Sequence, residues 1–349
     1  MNSWQGQLPS LLQATPFQKE SFNLVKLAGE ASYREYFRFH FKDGRTAILM
    51  KMPSGFASVS EEVTKTTKKM DELPFINVQK YLKGVGLPVP EIYAANADKS
   101  LLVLQDLGDL ALEKVVSGAS DDVLISSYRK ALGLLVQFQQ KTSQNRDGSC
   151  VAFYRRFDKD LLLWEMNHFL EYGIEDRFQI KVESEDKKIF EEFANQICDE
   201  IGVMPQGLTH RDFQSRNLIL YKANLWIIDF QDALLGPVLY DLVALLRDSY
   251  ICLTRPQVEG LVKDFAGLLF KGHPYEAMPE KILTHFDLLT IQRKLKDTGR
   301  FQYIHTMKKN SSFLIHVPNS IAYVKTALKA QPKYHGLLEM IGKYVSEFR

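Results

Sequence analysis

THRDFQSRNLILYKANLWIIDFQDALLGPVLYD, Thr209 to Asp241, is the stretch that decides how this chain is read. It carries Asp212, Asp229, Asp232 and Asp241, with His210 and Asn217 among them. Two of these acids stand at the edges of apolar, β-like runs. A carboxylate buried without a partner is costly. Something must face these groups, and a divalent cation is the first candidate.

The spacing narrows the chemistry. His210-Arg211-Asp212 is followed by four residues and then Asn217, and eleven residues separate Asn217 from Asp229 at the end of LWIID. This is the pattern H-R-D-x-x-x-x-N with a later acid after a short hairpin, as used for phosphoryl transfer from ATP. Such transfer concentrates negative charge on phosphate oxygens. Mg²⁺ offsets it and takes hard oxygen ligands, which Asn217 and Asp229 can supply. Asp212 can orient an acceptor hydroxyl and accept its proton. NLIL and LWIIDF read as two short strands joined at Tyr221–Asn224, which brings the two metal ligands to one end. His210 reads as a loop-stabilising side chain. Asp241 opens a helical pattern and reads as a helix cap or a buried anchor for the loop.

Upstream, the chain is β-rich. Tyr36 to Phe41 alternates, turns at Lys42-Asp43-Gly44-Arg45, and resumes as a strand from Thr46 to Met52. The polar connection 54–72 reads as a mobile surface segment. A helix is expected over 75–83, with Pro74 near its start and Gly84 near its end. LLVLQDLGD, from Leu101, is an apolar strand stopped by an acidic turn, with a hinge near Gln105 to Gly108. Gly29, Ser32 and Tyr33 lie in a turn whose amides can cover phosphates. Lys51 either pairs with ATP phosphates or reaches water from a strand edge. Gln105 to Leu107 can offer backbone groups to adenine.

Downstream, the 3.6-residue period takes over. Asp121 or Asp122 can cap a helix carrying Leu124, Tyr128, Leu132, Leu135 and Phe138. Helical patterns follow over 157–170 and 186–201, and from Tyr240 onward. The expected fold class is α+β: a small β-rich N-terminal lobe, 1–105, that binds nucleotide, and a larger, mainly helical lobe, 106–349, for catalysis and the acceptor.

Composition excludes several alternatives. The 349 residues carry a net charge of +2, with 45% hydrophobic and 25% charged residues. That balance gives no footprint for nucleic acid or a membrane surface. Cys150, Cys198 and Cys252 form no CxxC pair, so no disulfide framework or zinc site is expected. The N-terminal residues lack a basic, apolar leader, and no apolar run is long enough to span a bilayer. The expected location is the cytoplasm, with a small molecule as partner.

GEASYREYFRF, LLVLQDLGD, THRDFQSRNLIL, IIDFQDALLGPVLYDLVALLRDSY and IQRKLKDTGRF resemble the aminoglycoside phosphotransferase and choline kinase group. The closer likeness is to bacterial kinases of cell-wall recycling that act at the anomeric hydroxyl of N-acetylmuramate and N-acetylglucosamine. The resemblance covers most of the chain and implies a protein-kinase-like two-lobed fold, ATP, Mg²⁺ and a sugar or amino-sugar acceptor. It departs at Lys51, where the sugar kinases carry an acid, and at Gln105, where they carry glutamate. The helix over 75–83 holds no glutamate to pair with Lys51. The segment between Asp229 and Tyr240 is too short for a long activation loop, which argues against a protein substrate. On the acceptor side the resemblance points to 157–170, where Glu165 can bond sugar hydroxyls or simply face solvent. Trp164 and Phe169 can stack on a sugar or join the core. Arg293 suits a lactyl carboxylate or a solvated helix face. An amino alcohol, an aminoglycoside, or a regulatory role without catalysis are the alternatives.

Overall fold

The structure is a computed structural model and describes residues 4–18, 20–27, 34–53 and 72–349. Gly29, Ser32 and Tyr33, and the connection 54–71, lie outside these residues.

Strands β1 (Phe22–Lys26), β2 (Glu35–Phe41), β3 (Thr46–Lys51), β4 (Ile92–Ala95) and β5 (Leu101–Gln105) form an antiparallel sheet in the order β1-β2-β3-β5-β4. The β2–β3 hairpin closes where Asp-Gly predicts it, with Gly44 in the left-handed region at φ +83°. Alternation then sorts the two faces. Phe37 and Phe39 stand opposite Leu49 and Ala47, whereas Tyr36 and Arg38 stand opposite Met50 and Ile48. The first set joins a small core with Leu8, Leu11 and Leu12 of helix α1 (Leu8–Leu12), where Phe17 stacks on Phe41 at 4.3 Å between ring centres. The second set shares the main core with helix α2 (Pro74–Gly84), through residues such as Ile76 and Leu82.

The rest of the chain is mainly helical, so the α+β expectation holds. Helices α3 (Leu112–Val116), α4 (Asp121–Gln144), α5 (Lys159–His168) and α6 (Ser184–Gly202) precede the opening segment of sequence. Two ladders follow: β6 (Gln206–Thr209) with β9 (Leu234–Pro237), and β7 (Leu218–Tyr221) with β8 (Asn224–Ile227). The β7–β8 turn places Lys222 at φ 47° and Ala223 at φ 65°, the left-handed pair that a two-residue hairpin turn needs. The β6–β9 ladder escapes sequence patterning because Gly207 and Gly236 face each other in it. A Cβ on Gly207 would fall 2.7 Å from Val238, and one on Gly236 2.7 Å from Phe157. These glycines serve close packing, where the sequence suggests only a loop.

Helices α7 (Tyr240–Leu246), α8 (Arg255–Gly267), α9 (Lys281–Lys308), α10 (Val317–Lys329) and α11 (His335–Tyr344) complete the fold. Every residue of α7 is buried. The cysteines form no disulfide; Cys150 and Cys198 are buried and Cys252 is exposed. Among the described residues, no helix is long and apolar enough to cross a membrane.

The helix expected over 157–170 runs as α5 and then widens into a π-helix, Phe169–Asp176. Here α9 presses closely: a Cβ on Gly299 would meet the His168 carbonyl oxygen at 2.5 Å and the Phe169 nitrogen at 2.8 Å. Both neighbours are backbone, so neither can rotate away. Gly299→Ala should therefore push α9 off α5 and destabilise the protein by about 1–3 kcal/mol. Thermal unfolding measures this, and an unchanged melting temperature would contradict the packing.

Candidate active site

The loop between β6 and β7 starts at His210-Arg211-Asp212. Buried α7 holds it from below. One oxygen of Asp241 accepts the His210 N–H at 2.6 Å, and the other accepts the Arg211 N–H at 2.9 Å. Past the end of α7, the buried Asp248 accepts the Ser215 N–H at 2.8 Å. Two buried acids, one in α7 and one just past its end, thus hold the loop at His210–Arg211 and again at Ser215. His210 is fully enclosed, and its Nε2 donates to the Ile228 carbonyl at 2.9 Å. Burial holds its ring pKa below the ordinary value, so it is neutral and structural. The anchoring roles read for Asp241 and His210 are the ones these bonds describe.

Arg211 sits at φ +79°, an uncommon conformation for a side chain of its size. Three contacts sustain it. Asp241 holds its amide, its carbonyl accepts from Arg293 Nη1 at 2.7 Å, and its guanidinium reaches Glu165 Oε1 at 3.2 Å. The turn exposes the next side chain, Asp212, to the cleft: 38% of it meets solvent, against 1% of Arg293 behind it. Arg293 Nη2 donates to Asp212 Oδ1 at 2.9 Å and sets its orientation. Partial loss of hydration alone would raise the Asp212 carboxyl. Arg293, then Lys296 and Arg211, outweigh that and hold it far below the usual carboxylate range.

Asn217 closes the loop by donating its amide to the Asp212 carbonyl at 2.8 Å, which leaves its own side-chain oxygen available. The β7–β8 hairpin then delivers Asp229, at φ +64°, with Phe230 buried beside it and packed on Phe75 of α2 at 5.1 Å between rings. Gln231 Nε2 bridges Asp229 Oδ1 at 2.9 Å and Asp232 Oδ2 at 3.0 Å. Although 45% of the Asp229 side chain meets solvent, lost hydration pushes its carboxyl upward, and the charges of Asp212 and Asp232 add to this against the opposing Gln231 bond. Converging acids of this kind fit a divalent cation. Among the described residues, no three His, Cys, Asp or Glu side chains form a metal cage. Asp229 and the Asn217 oxygen offer two hard ligands, the protein's usual share where substrate phosphates and water complete an Mg²⁺ shell.

Several residues predicted from sequence stand elsewhere. Lys51 pairs with Glu35 on the sheet face that carries Phe37 and Leu49, with its ammonium over the Trp4 ring at 5.6 Å. The structure does not bring it to Asp229. Glu165, read as a sugar ligand or a solvated acid, is fully buried; Arg211 and Gln292 occupy its two oxygens. Arg293, read as a carboxylate binder or a solvated residue, is spent on Asp212 and the Arg211 carbonyl. Both sit inside because their charges satisfy each other's neighbours. Phe169 is core, while Trp164 is partly exposed and lies 5.1 Å from the His168 ring. Gln105 ends β5 with its side chain accepting the Glu91 N–H at 3.2 Å. Leu107 packs with Ala111 and Ile219, leaving the backbone of 105–107 at the junction of the sheet and the helical part.

Sequence reasoning missed three groups. Arg34 approaches Asp229, its Nη1 lying 3.9 Å from Asp229 Oδ1. Arg38 is clamped by Asp106 and Asp109, each 2.7 Å away. Lys296 is buried on α9, three residues from Arg293, with its ammonium 3.7 Å from Asp297. The available signal was the run of cations in IQRKLK, too dense for a helix this apolar in its surroundings.

The chain resembles known proteins along most of its length. The phosphotransferase enzyme family, APH, matches residues 24–277. The chain is 27% identical to an N-acetylmuramate/N-acetylglucosamine kinase of Neisseria meningitidis serogroup B, covering 97% of this chain and 96% of the relative. It is also 27% identical to a kinase of the same name from Pseudomonas aeruginosa, covering 98% and 95%. Among solved structures, a choline/ethanolamine kinase family protein from Mesorhizobium loti superposes with a TM-score of 0.60 at 14% identity, covering 97% of this chain and 98% of that one. A gentamicin complex of APH(2")-IIa superposes with a TM-score of 0.58 at 12% identity, covering 93% and 95%.

The Arg293–Asp212 contact has a pH signature. A carboxyl held low stays ionised as pH falls and protonates only below the ordinary range. Arg293→Gln should raise the acid limb of kcat/KM for the acceptor, at saturating nucleotide, by about 1–3 pH units. An unmoved limb would mean that Arg293 does not set the charge state of Asp212.

Proposed function

Because the chain belongs to the phosphotransferase enzyme family, we propose that it transfers the γ-phosphoryl group of ATP to the anomeric hydroxyl of N-acetylmuramate or N-acetylglucosamine. The observation that carries this reading is the convergence of Asp212, Asn217 and Asp229 on one pinned loop and one hairpin. The acceptor follows from the names of the relatives that match nearly the whole chain.

Each residue then has a task. Asn217 and Asp229 hold Mg²⁺, which offsets the charge on the phosphate oxygens. Asp212 accepts a hydrogen bond from the acceptor hydroxyl and aims its oxygen at the γ-phosphorus. As the new O–P bond forms, the bond to the oxygen bridging to ADP breaks, and the hydroxyl proton passes to Asp212. A carboxylate this acidic is a weak base. Its value lies in alignment, which suits a loose transition state in which the proton leaves late. Arg293 preserves that alignment. Residues 1–105 serve the nucleotide and 106–349 serve catalysis and the acceptor, with the backbone of 105–107 between them. A small acceptor also fits the ten residues from Phe230 to Leu239, too few for a long substrate-docking loop.

The relatives that match nearly the whole chain favour the sugar over an amino alcohol or aminoglycoside.

The test is ADP release from Mg-ATP across free N-acetylmuramate, N-acetylglucosamine, other hexoses, choline and aminoglycosides. We expect turnover on the two N-acetyl sugars, falling about 10²–10⁴-fold in Asp212→Asn while ATP binding is retained. Turnover confined to choline or aminoglycosides, or undiminished in the variant, would overturn the proposal.

A further inference from the structure

Strand β3 offers no cation to the cleft. Side chains alternate along a strand, and the register of β3 against β2 assigns each to a face. Ile48 and Met50, opposite Arg38 and Tyr36, face the core shared with α2 and the helical part. Lys51, one residue on, points to the other face and pairs with Glu35. The inward position is therefore held by Met50, which has no charge to offer a phosphate. Helix α2 compounds this, since PFINVQKYLKG contains no acid to orient a lysine.

Two arginines share the inward face instead. Arg38 is engaged by Asp106 and Asp109 where the chain leaves β5. Arg34 precedes β2, keeps 14% of its side chain exposed, and lies 3.9 Å from Asp229. Its guanidinium thus sits within reach of the carboxylate that would hold the metal, and of any phosphate oxygens bridged there. A guanidinium presents paired donors to phosphate, which a single ammonium does not.

We propose that Arg34 grips the phosphates of the bound nucleotide from the sheet side, the task for which Lys51 faces the wrong way. This rests on the nucleotide half of the proposed function. It assigns the adenosine portion of the affinity to other residues and the phosphate portion to Arg34.

That division gives a readout that a purely structural arginine would not move. Binding of Mg-ATP and of adenosine is measured by calorimetry for the wild-type protein, Arg34→Met, Arg34→Lys and Lys51→Met. Arg34→Met should weaken Mg-ATP roughly ten- to a hundredfold, the loss of a charge-assisted contact, and leave adenosine unchanged. Arg34→Lys should recover part of the loss, and Lys51→Met should shift either ligand by less than about twofold. If Arg34→Met does not fold, Arg34→Gln is read on the same two ligands. Wild-type affinity for Mg-ATP in the Met or Gln variant would overturn the inference, as would an equal loss of adenosine or an equal effect of Lys51→Met. Failure of the wild-type protein to bind Mg-ATP would instead overturn the proposed function itself.

Discussion

The two backbone hydrogen bonds accepted by Asp241 are the constraint on which the site depends. They convert the position of a buried helix into the position of a loop. Helix α7 is enclosed on all sides, so Asp241 cannot drift. It therefore fixes the amides of His210 and Arg211, and the left-handed turn at Arg211 throws Asp212 out toward solvent. Hydrogen bonds to a buried charge are worth about 1.5–3 kcal/mol each, and an orphaned buried amide costs about as much. The loop consequently has one favourable path. The Arg293 and Glu165 contacts act on a backbone already held, and they refine the direction of one side chain.

A charged interior follows from this arrangement. Arg211, Glu165, Gln292, Arg293, Lys294, Lys296 and Asp297 are all buried. Lys294 donates to Asp297 and to Ser249, so even the innermost ammonium is partnered. Such pairs are expensive to desolvate and add little net stability. They are better understood as a rigid frame for Asp212, which needs a fixed direction more than it needs basicity. The proposed phosphate contact of Arg34 would complete the frame from the opposite side of the cleft.

What could be read from the sequence was whatever the local chain dictates. HRDFQSRN, IIDF and Lys42–Arg45 have side chains and turns that act within a few residues of themselves, so their spacing carries the geometry. The helix over 75–83 was equally legible, with Pro74 and Gly84 marking its ends. What could not be read depended on partners distant in the chain. Arg293 looks like a solvated residue until Asp212 is placed beside it, and Glu165 until Arg211 is. Lys51 stayed open between two readings because one residue of register decides which face of β3 it occupies, and period-2 patterning alone does not say which face meets the helical part. The β6–β9 ladder was invisible because its facing glycines, Gly207 and Gly236, look like loop residues in sequence.

The central claim is that Asp212 aligns the acceptor's own hydroxyl for direct attack on the γ-phosphorus. Phosphorus NMR of a reaction run with N-acetylmuramate carrying ¹⁸O at the anomeric oxygen tests it most directly. The account predicts a sugar phosphate whose phosphorus couples to the anomeric proton and bears the isotope shift of a retained ¹⁸O bridge. Inorganic phosphate as the only product, or an anomeric phosphate without that shift, would contradict it.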